Sequence, residues 1–262
     1  MSIAATLVDR AQVDLRSAPD ALRPFVGCFW TIAVRPGASL RFVPDGYSSI
    51  WCELRDHRDP EWFLRGPFRA PSQRRFRSSL RLAGVRLRPG VPHLLTGESV
   101  DRLVGRRIPL LGRPWARPLV ESSAGVDPEA QLGLLEQFLL GKLGGASVHP
   151  VVAAVIDAIQ GTNGQTSIGR IADMCHVGPR HLVRLMRTWT GLTPKSFSRI
   201  VRFQATLGQL ADAPQAPLAS VAAAHGYFDQ AHLSKEVARL ATITPTRIVR
   251  DSVSEFSKTR CD

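Results

Sequence analysis

The stretch Ile171-Ala172-Asp173-Met174-Cys175-His176-Val177-Gly178-Pro179-Arg180-His181-Leu182-Val183-Arg184 is echoed by Val221-Ala222-Ala223-Ala224-His225-Gly226-Tyr227-Phe228-Asp229-Gln230-Ala231-His232-Leu233-Ser234-Lys235. His181-Leu182 recurs as His232-Leu233 at an offset of 51, Arg184 as Lys235, and Thr193-Pro194 as Thr244-Pro245. Ile171-Ala172 recurs as Val221-Ala222 at an offset of 50, so a one-residue slip sits in the turn before the recurring His-Leu. Each copy has a short helix with an apolar-Ala pair, a tight turn, a helix with His-Leu-x-Arg/Lys, and a Thr-Pro pair. That pair opens the next helix, with Thr as cap and Pro at the first position. Short helix, tight turn and second helix make a helix-turn-helix unit. The small alanine allows close helix approach, and Gly226 supplies the positive φ of the second turn. Cys175 and His176 occupy that region in the first copy, where a different turn geometry is expected.

Outward from the repeat, everything after Pro150 has helical spacing. Helices are predicted over 151–160, 167–175, 178–190, 194–211, 218–225 and 229–240, with another starting at Pro245. The long 194–211 helix bridges the copies. A rigid spacer of that kind holds two second helices about one turn of DNA apart, about 34 Å, for successive major grooves. The alternative is an all-α bundle with a duplicated helical hairpin. The cations Arg180, Arg184 and Arg187 share one face of the first copy and favour DNA over that alternative.

The charge of the 262-residue chain supports a polyanionic partner, at +12 with a pI near 10.8. The excess is not concentrated on the repeat. Residues 1–121 hold 20 Arg against 11 acids, and residues 148–262 hold 13 Lys or Arg against 8. An arginine-rich coding bias explains this as well as a function does, so net charge does not locate the DNA site. Cys28, Cys52, Cys175 and Cys261 form neither a Cys-x-x-Cys pair nor a zinc-spaced cluster, which suits a reducing compartment. Residues 1–16 lack the apolar run of a signal peptide, and no 18-residue apolar run offers a membrane span.

The front half reads as β-rich. Short alternating runs over 20–118 are broken by Pro44-Asp45-Gly46, Gly66-Pro67 and Pro89-Gly90, which argues for a sandwich or small barrel. Asp127-Pro128-Glu129 then starts a helix, with Leu132, Leu135, Phe138, Leu139 and Leu143 at helical spacing. The expected fold class is α+β: a β-rich domain with a helix over 1–145, then an all-α domain over 146–256.

These residues resemble the AraC/XylS-type DNA-binding domain, over 150–250 as a whole. The string from Ile171 to Met186 is similar to that family's first unit, and Gly191-Leu192-Thr193-Pro194 to the motif that follows it. The string from Val221 to Lys235 resembles its second, stronger signature. There are departures. Gly178 replaces a Ser cap, Met186 and Val237 replace core Phe, Lys235 replaces Arg, and Ala241-Thr242 replaces a Gly before the last Thr-Pro. Residues 20–120 resemble poorly characterised, cupin-like N-terminal domains of such regulators, on Phe29-Trp30, Val43-Pro44-Asp45-Gly46, Gly66-Pro67-Phe68 and Val85-Arg86-Leu87-Arg88-Pro89-Gly90. That resemblance implies a sensing or dimerising domain and names no ligand.

Residue roles follow from face and chemistry. Arg180, Val183 and Arg184 in the first unit, and Gln230, Ala231, Ser234 and Lys235 in the second, are the expected base contacts. Arg forks to guanine, Gln suits adenine, and Val meets a thymine methyl. His181, Arg187, His232, Thr193 and Thr244 are the expected phosphate contacts; for His232 an ordinary packing or capping role is an equal alternative. Cys175 reads as a buried small residue.

Arg65, Arg69, Arg74, Arg75, Arg77, Arg81, Arg86 and Arg88 read as a solvated face, with an anion-binding pocket or auxiliary DNA contact as the sharper alternative. Trp30 and Trp62 read as core, with His93 as a further candidate pocket residue. The 128–143 leucine stripe either packs on its own domain or pairs with a second copy. An enzymatic front domain is disfavoured. A cupin metal site needs several His, whereas residues 1–120 hold only His57 and His93, and a repair chemistry needs an activated, metal-bound Cys. A non-specific architectural binder is disfavoured by the duplicated unit. The expected protein is thus a cytoplasmic, nucleoid-associated transcription regulator, an activator, with no cofactor or metal. Its expected partners are double-stranded DNA, RNA polymerase, an unknown small-molecule effector and a second copy of the chain, and not a membrane.

Overall fold

The computed structural model describes residues 6–55 and 58–246. His57 and most of the helix expected from Pro245 lie outside them. The front half contains strands β1 (Thr6–Arg16), β2 (Val26–Phe42), β3 (Ser48–Leu54), β4 (Glu61–Arg65), β5 (Ser72–Arg75), β6 (Leu80–Leu87) and β7 (Arg107–Pro109). They form one antiparallel seven-stranded sheet of order β1-β2-β6-β3-β4-β7, with β5 paired to the far end of β2. Between and after the strands come helices α1 (Val91–Thr96), α2 (Arg117–Ser122) and α3 (Pro128–Leu143). The sequence gives no strong periodic signal for α1 and α2, which are six residues each.

The period-two alternation of a strand sorts this sheet into two faces. Phe29, Ile50, Cys52, Trp62, Leu64, Ala83, Val85 and Leu87 turn to one side, where the helices pack. Trp30, Ile32, Leu40, Trp51, Phe63 and Leu82 turn to the other. Trp62 is therefore core, as expected, whereas Trp30 belongs to the opposite, concave face. Leu132, Leu135, Leu139 and Leu143 of α3 are buried in the helix-side core. The stripe that suggested a dimer surface is spent on its own sheet. Asp127 caps α3 as expected, accepting from the Ala130 N–H at 3.0 Å.

The rear half is helical throughout: α4 (Pro150–Gly161), α5 (Ile168–Met174), α6 (Pro179–Thr190), α7 (Pro194–Asp212), α8 (Leu218–Ala224) and α9 (Gln230–Ala241). Two cores share α7. Its first half sends Phe197 and Ile200 among Val152, Ile159, Ile171, Leu182 and Met186. Its second half sends Phe203, Leu207 and Leu210 among Val221, Leu233, Val237 and Leu240. Met186 and Val237, which stand in for larger aromatics, are fully buried. No helix among the described residues is long and apolar enough to cross a membrane.

The halves touch along a seam at the C-terminal end of α6. His93 of α1 stacks on Trp189 with ring centroids 4.2 Å apart, so this histidine joins the two halves. Arg69 donates to the Gly191 carbonyl at 3.0 Å. Gly191 is required there. Its φ is +72°, and a Cβ would come within 2.8 Å of Val104 and 2.9 Å of the Val100 carbonyl.

Candidate nucleic-acid interface

Helices α5 and α6 form one helix-turn-helix unit, and α8 and α9 the other. The two turns have the same hydrogen bonds. Cys175 N–H donates to Ile171 O and Val177 N–H to Ala172 O; His225 N–H donates to Val221 O and Tyr227 N–H to Ala222 O. The φ of His176 is +51° and that of Gly226 is +65°. The expectation of a different turn in the first copy is thus corrected. The geometry is shared, and His176 takes the left-handed conformation without a glycine. Histidine is among the residues that tolerate it.

The mirror case lies at the other end of the repeat. Gly191 ends α6 in the left-handed region, and Thr242, 51 positions on, ends α9 there at φ +59°. For a β-branched residue this conformation is strained. Thr242→Gly is therefore expected to stabilise the chain by about 1 kcal/mol, which raises Tm by about 2–4 °C in a thermal melt. An unchanged or lower Tm would show that Thr242 is not strained.

Side-chain caps fix the start of the spacer helix and of the second helix in the second unit. Thr193 caps α7, accepting from Ser196 N–H at 3.1 Å and donating to Ser196 Oγ at 2.9 Å. Asp229 caps α9 by accepting from His232 N–H at 2.6 Å, and His232 Nδ1 reaches back to accept from Phe228 N–H at 3.2 Å. This reciprocal pair works as a capping box. With Nδ1 accepting, a neutral His232 carries its proton on Nε2. The His232 ring also stands edge-on to Tyr227 at 5.4 Å. The capping alternative for His232 is what the geometry realises.

The N-terminal part of each second helix is open. Arg180, His181, Arg184 and Arg187 of α6 are exposed, Val183 is half-buried, and Leu182 is fully buried. Arg184 lies 3.0 Å from His181 Nδ1, one turn away, which orients its guanidinium. On α9, Gln230, Ala231, His232 and Lys235 are exposed and Ser234 is half-buried. Thr244, beyond α9, is exposed. The structure thus brings Arg180, Val183 and Arg184 onto one open face, and Gln230, Ala231, Ser234 and Lys235 onto another. Thr193 stands apart from both. Cys175 is a half-buried free thiol beside the first core.

One residue of this surface has no counterpart in the first copy. Phe228 occupies the slip between offsets 50 and 51, and 93% of its surface is exposed. The slip was visible in the sequence; the exposure was not.

Braces hold the units relative to each other. Arg202 of α7 donates to the Gly164 carbonyl at 2.9 Å and to the Gly226 carbonyl at 3.3 Å. Gln165 donates to the Ala224 carbonyl at 3.1 Å. Arg199 of α7 is ion-paired with Glu236 of α9. The loop before the first unit and the turn of the second are thereby tied to the same helix. At 1.5 Å per residue, the 19 residues of α7 span about 28 Å, close to one turn of duplex.

A pair of braced helix-turn-helix units on one spacer defines a DNA-binding domain. Residues 171–251 match the family described as a helix-turn-helix domain, and residues 16–109 match one described as a domain of unknown function (DUF6597). Residues 171–251 thus carry an AraC-type helix-turn-helix domain, and the chain is a DNA-binding transcription regulator. Similar solved structures include the C-terminal domain of AraT, a response regulator from Geobacillus stearothermophilus, at 19% identity over 39% of this chain and 85% of that one, TM-score 0.37. An AraC-type transcriptional regulator from Chromobacterium violaceum is 20% identical over 40% of this chain and 94% of that one, TM-score 0.37. ToxT from Vibrio cholerae is 6% identical over 94% of this chain and 99% of that one, TM-score 0.47. No curated protein is similar enough to the chain to match it.

Proposed function

We propose that the chain reads two sites on one face of duplex DNA, with α6 and α9 in successive major grooves. In this reading residues 146–256 are the reading domain and residues 1–145 the sensing domain. Arg180, Val183 and Arg184 meet base edges in one groove, and Gln230, Ala231, Ser234 and Lys235 in the next. His181, Arg187, Thr244 and the Nε2–H of His232 meet phosphates. Thr193, whose hydroxyl is committed to Ser196, is left out of this set. Exposed Phe228 adds an apolar surface suited to a thymine methyl. The observation that carries the reading is the pair of open helix N-termini braced on one 19-residue helix.

The test is selection of bound fragments from genomic DNA by the purified chain at near-physiological salt. The expected result is one motif of two boxes whose centres lie about 10 base pairs apart. Binding without a motif, weakening alike on every sequence as salt rises, would overturn the reading in favour of a non-specific binder.

A further inference from the structure

The concave face of the sheet encloses a cavity of about 310 Å³. That is room for roughly ten waters at about 30 Å³ each, and it lies within the range of small-molecule sites. Trp30, Trp51, Ile32 and Leu82 form its apolar wall. The register builds this wall, because Gly84 of β6 pairs with Trp30 of β2 on one side and Trp51 of β3 on the other. A Cβ on Gly84 would come within 2.7 Å of both tryptophans, so only glycine lets them close over the strand.

Four arginines line the same cavity: Arg65, Arg74, Arg86 and Arg107. The reading of the arginine set as a solvated face fails for Arg65 and Arg74, which are half-buried, and for Arg86, which is buried. Arg86 is buried and paired with buried Asp45 at 3.0 Å. Arg74 and Arg107 both pair with Glu53, which is buried and also meets Arg55. Among the described residues, Arg65 has no carboxylate within ion-pair distance. Its guanidinium lies over the rings of Phe42 at 4.6 Å and Phe68 at 4.0 Å, and one of its nitrogens donates to Ser72 Oγ at 2.7 Å. Two aromatic rings hold the guanidinium at the cavity wall, and its N–H donors outnumber the one bond to Ser72. The N–H edge is the part of a guanidinium that forks to a carboxylate. Burial brings its pKa down to about 10, with the Asp45 charge opposing the shift.

The cavity is connected to the reading domain by residues 43–47, whose neighbours are divided between the two. Asp45 and Tyr47 line the cavity, with Tyr47 under the Arg86 guanidinium at 3.7 Å. Val43 is buried in the core of the second helix-turn-helix unit. The Pro44 carbonyl accepts from Gln204 of α7 at 2.6 Å. Gly46, at φ +81°, sits so close to Phe197 of α7 that a Cβ would fall 2.7 Å from the ring. Five residues thus touch the cavity on one side and the spacer helix on the other.

We propose that this cavity binds a small apolar monocarboxylate, its carboxylate on Arg65 and its body against Trp30 and Trp51, and that residues 43–47 pass its occupancy to α7. The proposal rests on the reading of the front domain as a sensing unit and specifies its ligand class and its route. A single unpaired fork selects one carboxylate, and a wall of two tryptophans selects a flat or flexible apolar body.

The test uses the full chain and calorimetric titration with 2-naphthoate, decanoate and 2-naphthalenemethanol as probes. The expected result is saturable 1:1 binding of at least one carboxylate, at least about tenfold tighter than the neutral alcohol and weakened about tenfold by Arg65→Gln. The comparison with the alcohol needs only the wild-type chain and stands if the variant fails to fold. A preference for naphthoate or for decanoate separates an aromatic from an aliphatic ligand. Saturation with the preferred probe is then expected to change the affinity for the two-box DNA about fivefold or more, and Gln204→Ala to reduce that change while the probe still binds. Absence of carboxylate binding, or equal binding of the alcohol, overturns the ligand. Binding without any effect on DNA affinity overturns the route. Because the titration contains no DNA, failure of the chain to select a two-box motif leaves the ligand result standing and counts against the regulator reading alone.

Discussion

Arg180→Ala/Arg184→Ala is expected to weaken binding to the selected two-box DNA by about a hundredfold or more, while binding to unrelated duplex changes little. The two guanidiniums lie on the open face of α6, one helical turn apart, and neither has a carboxylate partner among the described residues. An unpaired, exposed arginine at the front of a groove-entering helix forks to guanine O6 and N7, and each such pair discriminates by about 1–3 kcal/mol. Arg184 is further oriented by His181 at 3.0 Å, so less freedom is lost when it forks. Arg187 provides the contrast. It lies one turn further along α6, nearer the seam with the front domain, and its expected partner is phosphate. Arg187→Ala should weaken binding on all sequences alike and reduce the slope of log affinity against log salt by about one. Competition gel shifts with specific and unrelated duplex, over a range of salt, separate the two behaviours. If the double variant lost affinity equally on both duplexes, Arg180 and Arg184 would be phosphate contacts, and the specificity of the first unit would have to lie elsewhere.

The reading domain was legible because its information is local and stated twice. Helical spacing, Thr-Pro caps and the offsets of 50 and 51 each constrain a few adjacent residues. The helices fall within a residue or so of their expected ends. In the first unit the hydrogen bonds of the turn override the residue preference for glycine. The first turn lacks a glycine, yet hydrogen bonds from Cys175 and Val177 hold His176 in the left-handed region all the same. The front domain was legible only as a pattern of strands. What gives it a site is contact between distant residues: Arg86 with Asp45, 41 positions apart, and Arg74 with Glu53, 21 apart. In the linear sequence those arginines are indistinguishable from Arg75, Arg77 and Arg81, which the structure leaves exposed. Only strand register decides which arginines turn inward. One signal was available: the alternation of Leu82, Gly84 and Arg86 puts a glycine and a cation on the face opposite Ala83, Val85 and Leu87.

The spacing of the two helix-turn-helix units depends on one small residue in the loop before the first unit. Gly164→Ala is expected to destabilise the chain by about 3 kcal/mol, a large part of the total for a domain of ordinary stability. Gly164 is buried at φ +72°, next to Asn163 at φ +48°. A left-handed alanine costs about 1–2 kcal/mol. Its Cβ would also stand 2.1 Å from the Ser198 carbonyl oxygen and 3.0 Å from the Arg202 nitrogen. Both are backbone atoms inside α7, so no side chain can swing away, and overpacking of that kind adds about 1–3 kcal/mol. Either the loop or the helix must move. Since α7 carries Phe197 and Ile200 for one core and Phe203, Leu207 and Leu210 for the other, movement is felt in both units. It also disturbs the Arg202 bond to Gly164, and with it the brace to Gly226. Gly169→Ala is the matched control. It lies inside α5 with nothing within 4 Å of an added Cβ, and should stabilise by about 0.5–1 kcal/mol through helix propensity. Chemical denaturation of both variants gives opposite signs if the close approach of Gly164 to α7 is real. A neutral Gly164→Ala would mean that the loop yields without cost and that the spacing of the two units is set by α7 alone.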